Sequence, residues 1–427
     1  MEHLLFAGYL VLFAWIVTRV RFFTHSGLTS SQLIIFFLLK VMAGILYGWI
    51  GVYYGNMAQM VDTWAYHYES VRETKLLIDQ PGTIFKGLFQ NDYESGYGAF
   101  FSSSDSWWND LKANSFIKIL ALLNLASFNN YYINVVFYSF LSLFGPVALF
   151  RVMHHVYPGR RIAVMLATFL IPSFLYWTSG LHKEGLIFTG FALVIYHLYF
   201  GMLEPRFSWW RLVPLIAGLL LVLMLRNFLV VVLVPAALTW IIARKSRLTP
   251  WKVFAAAYLL FFAIFFTARY LHPRLDFPEA VVNKQQAFLR LHGGSSVAVT
   301  ELEPTFTSFL VNTPEALVLS AIRPFPSDVR HLLSLAASTE INFLLLLFVV
   351  FLVLGIGSRR ATPFILFCIF LSFSVMLMIG FSVNNLGAIV RYRSIVLPLL
   401  MVPVIANLDW TRISQLLFGN IESKNNI

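Results

Sequence analysis

Apolar runs of about 20 residues recur along this chain, and they constrain its fold more than any other feature. At about 1.5 Å of rise per residue, such a run crosses the hydrocarbon core of a bilayer as an α-helix. Only 12% of the residues are charged, against roughly 25% in a soluble domain. The sequence therefore predicts an all-α, polytopic transmembrane helix bundle of about 11 helices and excludes an ordinary soluble enzyme.

Two long polar segments, 55–130 and 271–340, interrupt the apolar runs. We expect them to be extracytoplasmic loops that carry short interfacial helices. No internal repeat or linker divides the chain, so residues 1–427 are expected to form a single integral membrane domain. The predicted helices are 4–20, 33–54, 131–150, 162–176, 185–202, 212–225, 228–242, 251–270, 341–354, 363–383 and 395–408.

Basic residues between the predicted helices indicate the orientation. The net charge is +11, and short basic loops favour the cytoplasmic side of a membrane. This places the N-terminus outside and the C-terminus in the cytoplasm. Topology and anionic lipid headgroups explain the excess charge, and no basic helix or aromatic platform predicts a nucleic-acid partner. The loops in question carry Arg19/Arg21, Arg151/Arg160/Arg161, Arg206/Arg211, Arg244/Lys245/Arg247 and Arg359/Arg360.

The apolar segment 212–242 is interrupted by Arg226 and Asn227. It fits either one long tilted helix or two short ones. A single helix would move Arg359 and Arg360 to the outside, against the distribution of the other basic loops. We therefore favour two helices, with Arg226 at the outer membrane surface.

The first long loop begins with an acidic, aromatic segment. As a helix, it would place Asp62, Tyr66, Glu69 and Glu73 on one face. Asp62 is the closest of these acids to the membrane, and partial desolvation there would raise its pKa and suit a general base. The alternative is a solvated Asp that caps a helix. His67 lies off this face and is expected to be a packing or surface residue.

A second cluster lies in residues 172–185. Pro172 is expected to kink the preceding helix, and the following glycines permit tight turns. His182, Lys183 and Glu184 would then be presented at the membrane surface. Lys183 would suit a phosphate, and Glu184 would pair with it or orient a sugar hydroxyl. The alternative is an ordinary helix start at which the helix dipole favours Glu184.

Four arginines lie outside on this topology, where they do not help orientation. A guanidinium group suits bidentate binding of phosphate, and several at one membrane face would suit a polyprenyl phosphate headgroup. Contact with ordinary lipid phosphates is the competing explanation. These residues are Arg226, Arg323, Arg391 and Arg393.

Other chemistries lack their sequence signals. The single cysteine, Cys368, provides neither a disulfide framework nor a CxxC metal site. Phosphate-binding loops, HExxH zinc sites and GxSxG nucleophile elbows are absent. Lys40 alone among the ionisable residues clearly falls near the middle of a predicted helix, whereas a transporter should carry several such groups.

The order of these features resembles a known group of enzymes. The features are Asp62 after an early helix, a P-S-x-x-x-W-x-S-G-x-x-K-E segment at 172–184, Arg226 between two apolar helices, and an Asn-rich turn ending in R-Y-R at 384–393. Together they resemble bacterial polysaccharide polymerases of the Wzy and EpsG type and related GT-C-like membrane glycosyltransferases.

The resemblance implies transfer of a sugar or repeat unit from a polyprenyl phosphate or diphosphate donor to a glycan or lipid-linked acceptor. The reaction would take place at the outer face of the bacterial cytoplasmic membrane, among membrane lipids as further partners. We expect no cofactor. Many such enzymes carry a pair of acidic residues at this place, but this sequence has one, which gives no support to a divalent metal. The catalytic candidates are Asp62, Lys183 and Glu184, and the substrate-binding candidates are Tyr66, His182, Arg226, Arg323, Arg391 and Arg393.

Two other classes compete with this hypothesis. A lipid-linked glycan flippase or other secondary transporter predicts polar groups on both sides of the midplane, but the sequence is one-sided. An O-antigen ligase would use similar cations. A membrane O-acyltransferase would need an intramembrane histidine, for which His197 is the only candidate.

Overall fold

The structure, a computed structural model, describes residues 1–54, 62–98, 100–101, 105–291, 294–356 and 362–418. Regular structure in these ranges is helical apart from two isolated β-bridges, which confirms the expected all-α class. Arg359 and Arg360 lie outside the described residues. The α-helices are α1 (Glu2–Val17), α2 (Arg21–Thr24), α3 (Ser30–Tyr53), α4 (Asp62–Asp79), α5 (Thr83–Phe89), α6 (Trp107–Ser127), α7 (Tyr131–Val156), α8 (Arg161–Phe169), α9 (Pro172–Ser179), α10 (Lys183–Gly201), α11 (Trp209–Lys245), α12 (Pro250–Thr267), α13 (Phe277–Leu289), α14 (Phe306–Leu317), α15 (Leu332–Leu354), α16 (Pro363–Ser382), α17 (Leu386–Arg393), α18 (Leu397–Ala406) and α19 (Trp410–Phe418).

Long apolar helices dominate the architecture. Within the described ranges, seven are long and apolar enough to cross a membrane, or up to nine if each of two bent pairs is one span. The chain thus has the helices of a multi-pass membrane protein. The predicted number of about eleven is not confirmed. One continuous apolar core runs from Val17 to Ala406 and joins most of these helices.

Helix α11 covers 37 residues but is broken at Arg226, which has φ −160° and ψ 76°. Near its start, the Arg211 guanidinium lies 5.8 Å from the Phe200 ring at the C-terminal end of α10. Towards its end, the Trp240 ring lies 6.2 Å from the Tyr199 ring, at that same end of α10. The two halves of α11 therefore run in opposite directions and meet at Arg226.

Two bent pairs of short helices replace the predicted helix 162–176 and the predicted turn and helix at 384–408. Helices α8 and α9 meet at 52°, and α17 and α18 meet at 61°. Pro172 begins α9, where its missing N–H costs no helical hydrogen bond, and this confirms the expected kink. The R-Y-R segment was expected in a turn, but it lies on α17, whose N-terminus is capped by Asn385 Oδ1 accepting from the Ala388 N–H at 3.0 Å.

The first long segment packs into the bundle. The amide of Asn124 on α6 donates to Ser70 Oγ at 2.9 Å and Thr74 Oγ1 at 3.1 Å, both on α4. The side-chain oxygen Oδ1 of Asn124 accepts from the side-chain amide of Asn134 on α7 at 2.6 Å. Because buried polar groups are costly unless paired, this network fixes α4 against the bundle.

The second long segment lies across the start of α17. Ser296 forms a β-bridge with Asn385, and the Val297 N–H donates to the Asn384 carbonyl at 2.9 Å. Both long segments therefore meet the bundle where α4, α10 and α17 begin. We call this the site end of the bundle.

Candidate functional site

Glu184, in the first turn of α10, is the centre of a charged cluster at the site end. Its side chain is fully buried. Oε1 accepts from Arg226 Nη2 at 2.5 Å and lies 3.5 Å from Arg391 Nε, while Oε2 accepts from His182 Nδ1. His182 is also buried. The expectation that His182 and Glu184 lie at the membrane surface is therefore wrong, because helices α3, α7 and α9 cover this turn.

Asp62 completes the cluster from the start of α4. Its Oδ2 lies 3.2 Å from Arg391 Nη1 and 3.6 Å from His182 Nε2, and half of its side chain, 50%, is exposed. Its neighbours His182 and Arg391 hold the pKa of Asp62 well below its usual range, although partial burial opposes them. The expected rise in its pKa is therefore wrong, because desolvation is outweighed by the two adjacent groups. Asp62 is thus an exposed, ionised carboxylate beside a buried ion-pair network.

The acidic face predicted for α4 only partly belongs to this site. The α4 helix is confirmed, and Tyr66 lies one turn after Asp62, with its ring 5.6 Å from the His182 ring. Glu69 instead pairs with Arg72 at 3.0 Å, and Glu73 with Lys118 at 2.8 Å. The neighbouring His67 is buried and packs its ring 5.8 Å from Trp64, as expected for a packing residue.

Aromatic rings hold the two site arginines in place. The Arg226 guanidinium lies 4.3 Å from the Tyr392 ring, and that of Arg391 lies 5.0 Å from the same ring and 5.7 Å from Trp177. Such cation–π contacts orient a guanidinium without neutralising it. The first half of α11 runs antiparallel to α10 and ends beside Glu184, where Arg226 lies, and the break there turns the chain back along α10.

Lys183 faces away from Glu184, so the two do not pair, although pairing was one of the two alternatives expected for Glu184. Adjacent residues on a helix point about 100° apart, and the Lys183 ammonium lies 5.2 Å from the Tyr66 ring. It therefore belongs to a second group of basic residues, next to the charged cluster.

That group includes Lys112 on α6 and Lys284 on α13, which the sequence analysis missed. Burial and the neighbouring Lys284, Lys183 and Arg226 lower the pKa of Lys112 to about 7. Burial, together with Arg226 and Lys183, also lowers the pKa of Lys284. The salt bridges between described residues involve none of the three lysines. We call Lys112, Lys183, Lys284 and Arg226 the cation group.

Arg393 and Arg323 lie outside this site, so their prediction as substrate ligands is not supported by the geometry. The Arg393 side chain is fully buried and donates to the carbonyls of Ser320, at 3.2 Å, and Arg323. Arg323 forms a bidentate pair with Asp328, at 2.8 and 3.0 Å. Both arginines therefore brace the 320–328 turn, Arg393 through Nη1 and Arg323 through its pair with Asp328.

Lys40 supports the site from the middle of α3. Its ammonium donates to the Thr178 carbonyl at 3.0 Å, Thr178 Oγ1 at 3.3 Å and Ser179 Oγ at 3.2 Å. Gly44 allows this close approach, since a Cβ there would lie 2.6 Å from the Ser179 carbonyl oxygen. Lys40 therefore fixes the end of α9, from which the chain turns to His182.

No group of three or more His, Cys, Asp or Glu side chains that could hold a metal ion occurs in the part of the chain that the structure describes. The site instead combines an exposed carboxylate, a buried His–Glu pair and the cation group. Such an arrangement can bind an anion and hold a hydroxyl beside it. Comparison with protein-family models, curated proteins and solved structures gives no match.

Proposed function

We propose that the chain is an integral membrane glycosyltransferase, a polysaccharide polymerase or a single-sugar transferase. It transfers a sugar or repeat unit from a polyprenyl phosphate or diphosphate donor to a glycan or lipid-linked acceptor. The proposal places this reaction at the outer face of a bacterial cytoplasmic membrane, with the N-terminus outside and the C-terminus in the cytoplasm. The segment order at Asp62, 172–184, Arg226 and 384–393 supports the class of enzyme.

The observation that carries the proposal is the excess of cations at the site end. Arg391 and the four members of the cation group lie at the site end, where their ion pairs among the described residues are with two carboxylates, Asp62 and Glu184. Burial lowers the pKa of Lys112, and the neighbouring cations lower it further, because partly buried like charges destabilise one another. Bound phosphate would relieve this repulsion, because it supplies negative charge and several acceptor oxygens.

Each part of the site would then have a distinct task. The cation group would hold the donor phosphate and stabilise the charge that develops on it as the sugar leaves. Asp62 would accept a hydrogen bond from the acceptor hydroxyl and orient it for attack. The Glu184 carboxylate would keep Arg226 and Arg391 in position between the two substrates.

Complementation of a deletion strain tests the proposal. We expect wild type to restore long glycan chains, and Arg226→Ala to leave short chains and polyprenyl-linked intermediates on the periplasmic side. Arg290→Ala is the matched control, since Arg290 is exposed at the end of α13. Gel analysis of the glycan and mass spectrometry of the lipid fraction provide the readout.

The same experiment separates the competing functions. Long chains that remain on the polyprenyl carrier would indicate a ligase. Intermediates that remain on the cytoplasmic side would indicate a flippase. Unchanged chains and lipid intermediates in the Arg226→Ala strain would refute the proposed site.

A further inference from the structure

His182 lies between two carboxylates and uses one ring nitrogen for each. Nδ1 bonds to Glu184 Oε2, so a carboxylate there requires Nδ1 to carry the proton. Nε2 then carries the lone pair of the neutral ring. It faces Asp62 Oδ2 at 3.6 Å and Arg391 Nη1 at 3.4 Å. The buried Glu184 thus fixes the tautomer, and Nε2, which accepts from Arg391 Nη1, lies beside the exposed carboxylate.

The surroundings of His182 favour this orientation. The Tyr138 hydroxyl on α7 donates to its carbonyl. The rings of Tyr66 on α4 and Tyr47 on α3 lie 5.6 and 6.4 Å from its ring. Glu184 and Lys183 lie in the same turn as His182, and Arg226 on α11 reaches Glu184. The ionisable groups that face His182 from other helices are Asp62 and Tyr66 on α4, Tyr47 on α3, Tyr138 on α7 and Arg391 on α17.

We propose that His182 takes the acceptor's proton from Asp62 and holds it while the glycosidic bond forms, with Glu184 as the partner that orients the ring. This inference rests on the proposed glycosyl transfer and names the proton route within it. Asp62 touches the acceptor, whereas His182 acts through Asp62 and is a positioning residue that carries the proton.

The route resolves a difficulty in the site. Asp62 Oδ2 lies 3.2 Å from Arg391 Nη1, and an adjacent cation makes a carboxylate a poorer proton acceptor. Passing the proton on to His182 Nε2 restores the Asp62–Arg391 ion pair, while Glu184 holds the other ring nitrogen.

The step balances as follows. The acceptor oxygen bonds to the anomeric carbon, and the bond from that carbon to the donor phosphate oxygen breaks, leaving its electron pair on the phosphate. The acceptor's proton passes to Asp62 and then to His182 Nε2. After the products leave, the proton returns through half-exposed Asp62 to water.

The test uses the full chain in proteoliposomes, with the polyprenyl-linked intermediate extracted from the deletion strain as substrate. In wild type, kcat/KM should fall at low pH, because protonated Nε2 cannot accept another proton. We call this fall the acidic limb of the pH profile. His182→Gln should lower kcat about 100-fold, leave KM within about threefold and lack this acidic limb. His67→Gln, the same substitution in another aromatic pocket, should keep the wild-type profile.

Retention of the acidic limb, or of more than about a third of the rate, in His182→Gln would overturn the inference. Should that variant fail to fold, Glu184→Gln keeps the imidazole and removes its counter-charge. Its acidic limb should then move to lower pH, and an unmoved limb would also overturn the inference. Absence of transfer by wild type would instead refute the proposed function.

Discussion

Two arginines on the same short helix have opposite surroundings. Arg391 faces the site end, 3.2 Å from the Asp62 carboxylate, with 18% of its side chain exposed. Arg393 is fully buried and donates to two backbone carbonyls. Residues two apart on a helix point about 200° away from each other. The R-Y-R segment therefore supplies one arginine to the charged cluster and the other to a structural brace.

The difference between these regions lies in how their charges are satisfied. Arg323 is paired with the Asp328 carboxylate, whereas the buried Arg393 donates through Nη1 to the backbone carbonyls of Ser320 and Arg323. At the site end, cations outnumber the carboxylates, and part of Asp62 remains exposed. Cations that lie beside an exposed carboxylate are accessible to a charged ligand, whereas a buried guanidinium that donates to backbone carbonyls is suited to holding the fold.

The largest effect should come from Asp62→Asn, which keeps the shape of the side chain and removes its negative charge. We expect glycan transfer to fall by about 1,000-fold or more, because the acceptor hydroxyl loses its carboxylate. Folding should be little affected, since half of this side chain is exposed. Asp79→Asn, an exposed position at the end of the same helix, is the control. Near-normal transfer by Asp62→Asn would place the chemistry elsewhere.

The same substitution at Arg391 and at Arg393 tests whether the two arginines have different roles. Arg391→Met should lower transfer about 100-fold, because Asp62 and Glu184 lose a shared partner. Arg393→Met should keep transfer per folded molecule within about threefold but lose about 3 kcal/mol of stability, because buried carbonyls lose their donor. Transfer rates and thermal unfolding in detergent measure the two effects. The opposite pattern would reverse the roles assigned to the two arginines.

A smaller effect is expected at Lys112, which should contribute to donor affinity only while it is charged. Its pKa of about 7 means that the free protein loses this charge as pH rises through 7. Donor KM should therefore rise from pH 6 to pH 9 in wild type. Lys112→Ala should raise the KM about tenfold at low pH and flatten this dependence.

Lys75→Ala, on the exposed side of α4, is the control for Lys112→Ala. Steady-state kinetics at several pH values provide the measurement. An unchanged pH dependence in Lys112→Ala would remove Lys112 from the cation group's proposed role.

The smallest effect should come from Arg323→Ala in the braced region. We expect donor KM to stay within about twofold of wild type. Stability should fall by about 1 kcal/mol, because the Asp328 carboxylate loses two hydrogen bonds, with solvent screening reducing the loss at this partly exposed pair. Donor titration and thermal unfolding check both expectations. A tenfold rise in KM would return Arg323 to the substrate-binding residues.

The sequence predicted individual members of the site better than their arrangement. Asp62, Glu184, Arg226 and Arg391 were all recognisable as charged residues next to apolar segments, and the structure brings them together. The direction of the Asp62 pKa was not predictable, because His182 and Arg391, which lower it, lie in other segments, and Arg391 is 329 positions away in the chain. Local desolvation alone pointed the wrong way.

Lys112 and Lys284 gave no usable signal in the sequence. Each is an ordinary lysine on a helix of a long polar segment, and such residues are usually solvated. Only the packing of α6 and α13 at the site end places them beside Lys183 and Arg226. Spacing along one helix carries no information about a partner on another.

The sequence by itself determined that this chain is helical and has the spans of a multi-pass membrane protein, because apolar runs leave a bilayer few alternatives. It also marked the break at Arg226 and the kink at Pro172, which are local properties of the backbone. Only the tertiary structure decided which charged groups face one another. Burial and charge pairing depend on distances between distant segments, and these made Arg391 part of a site and Arg393 part of the scaffold.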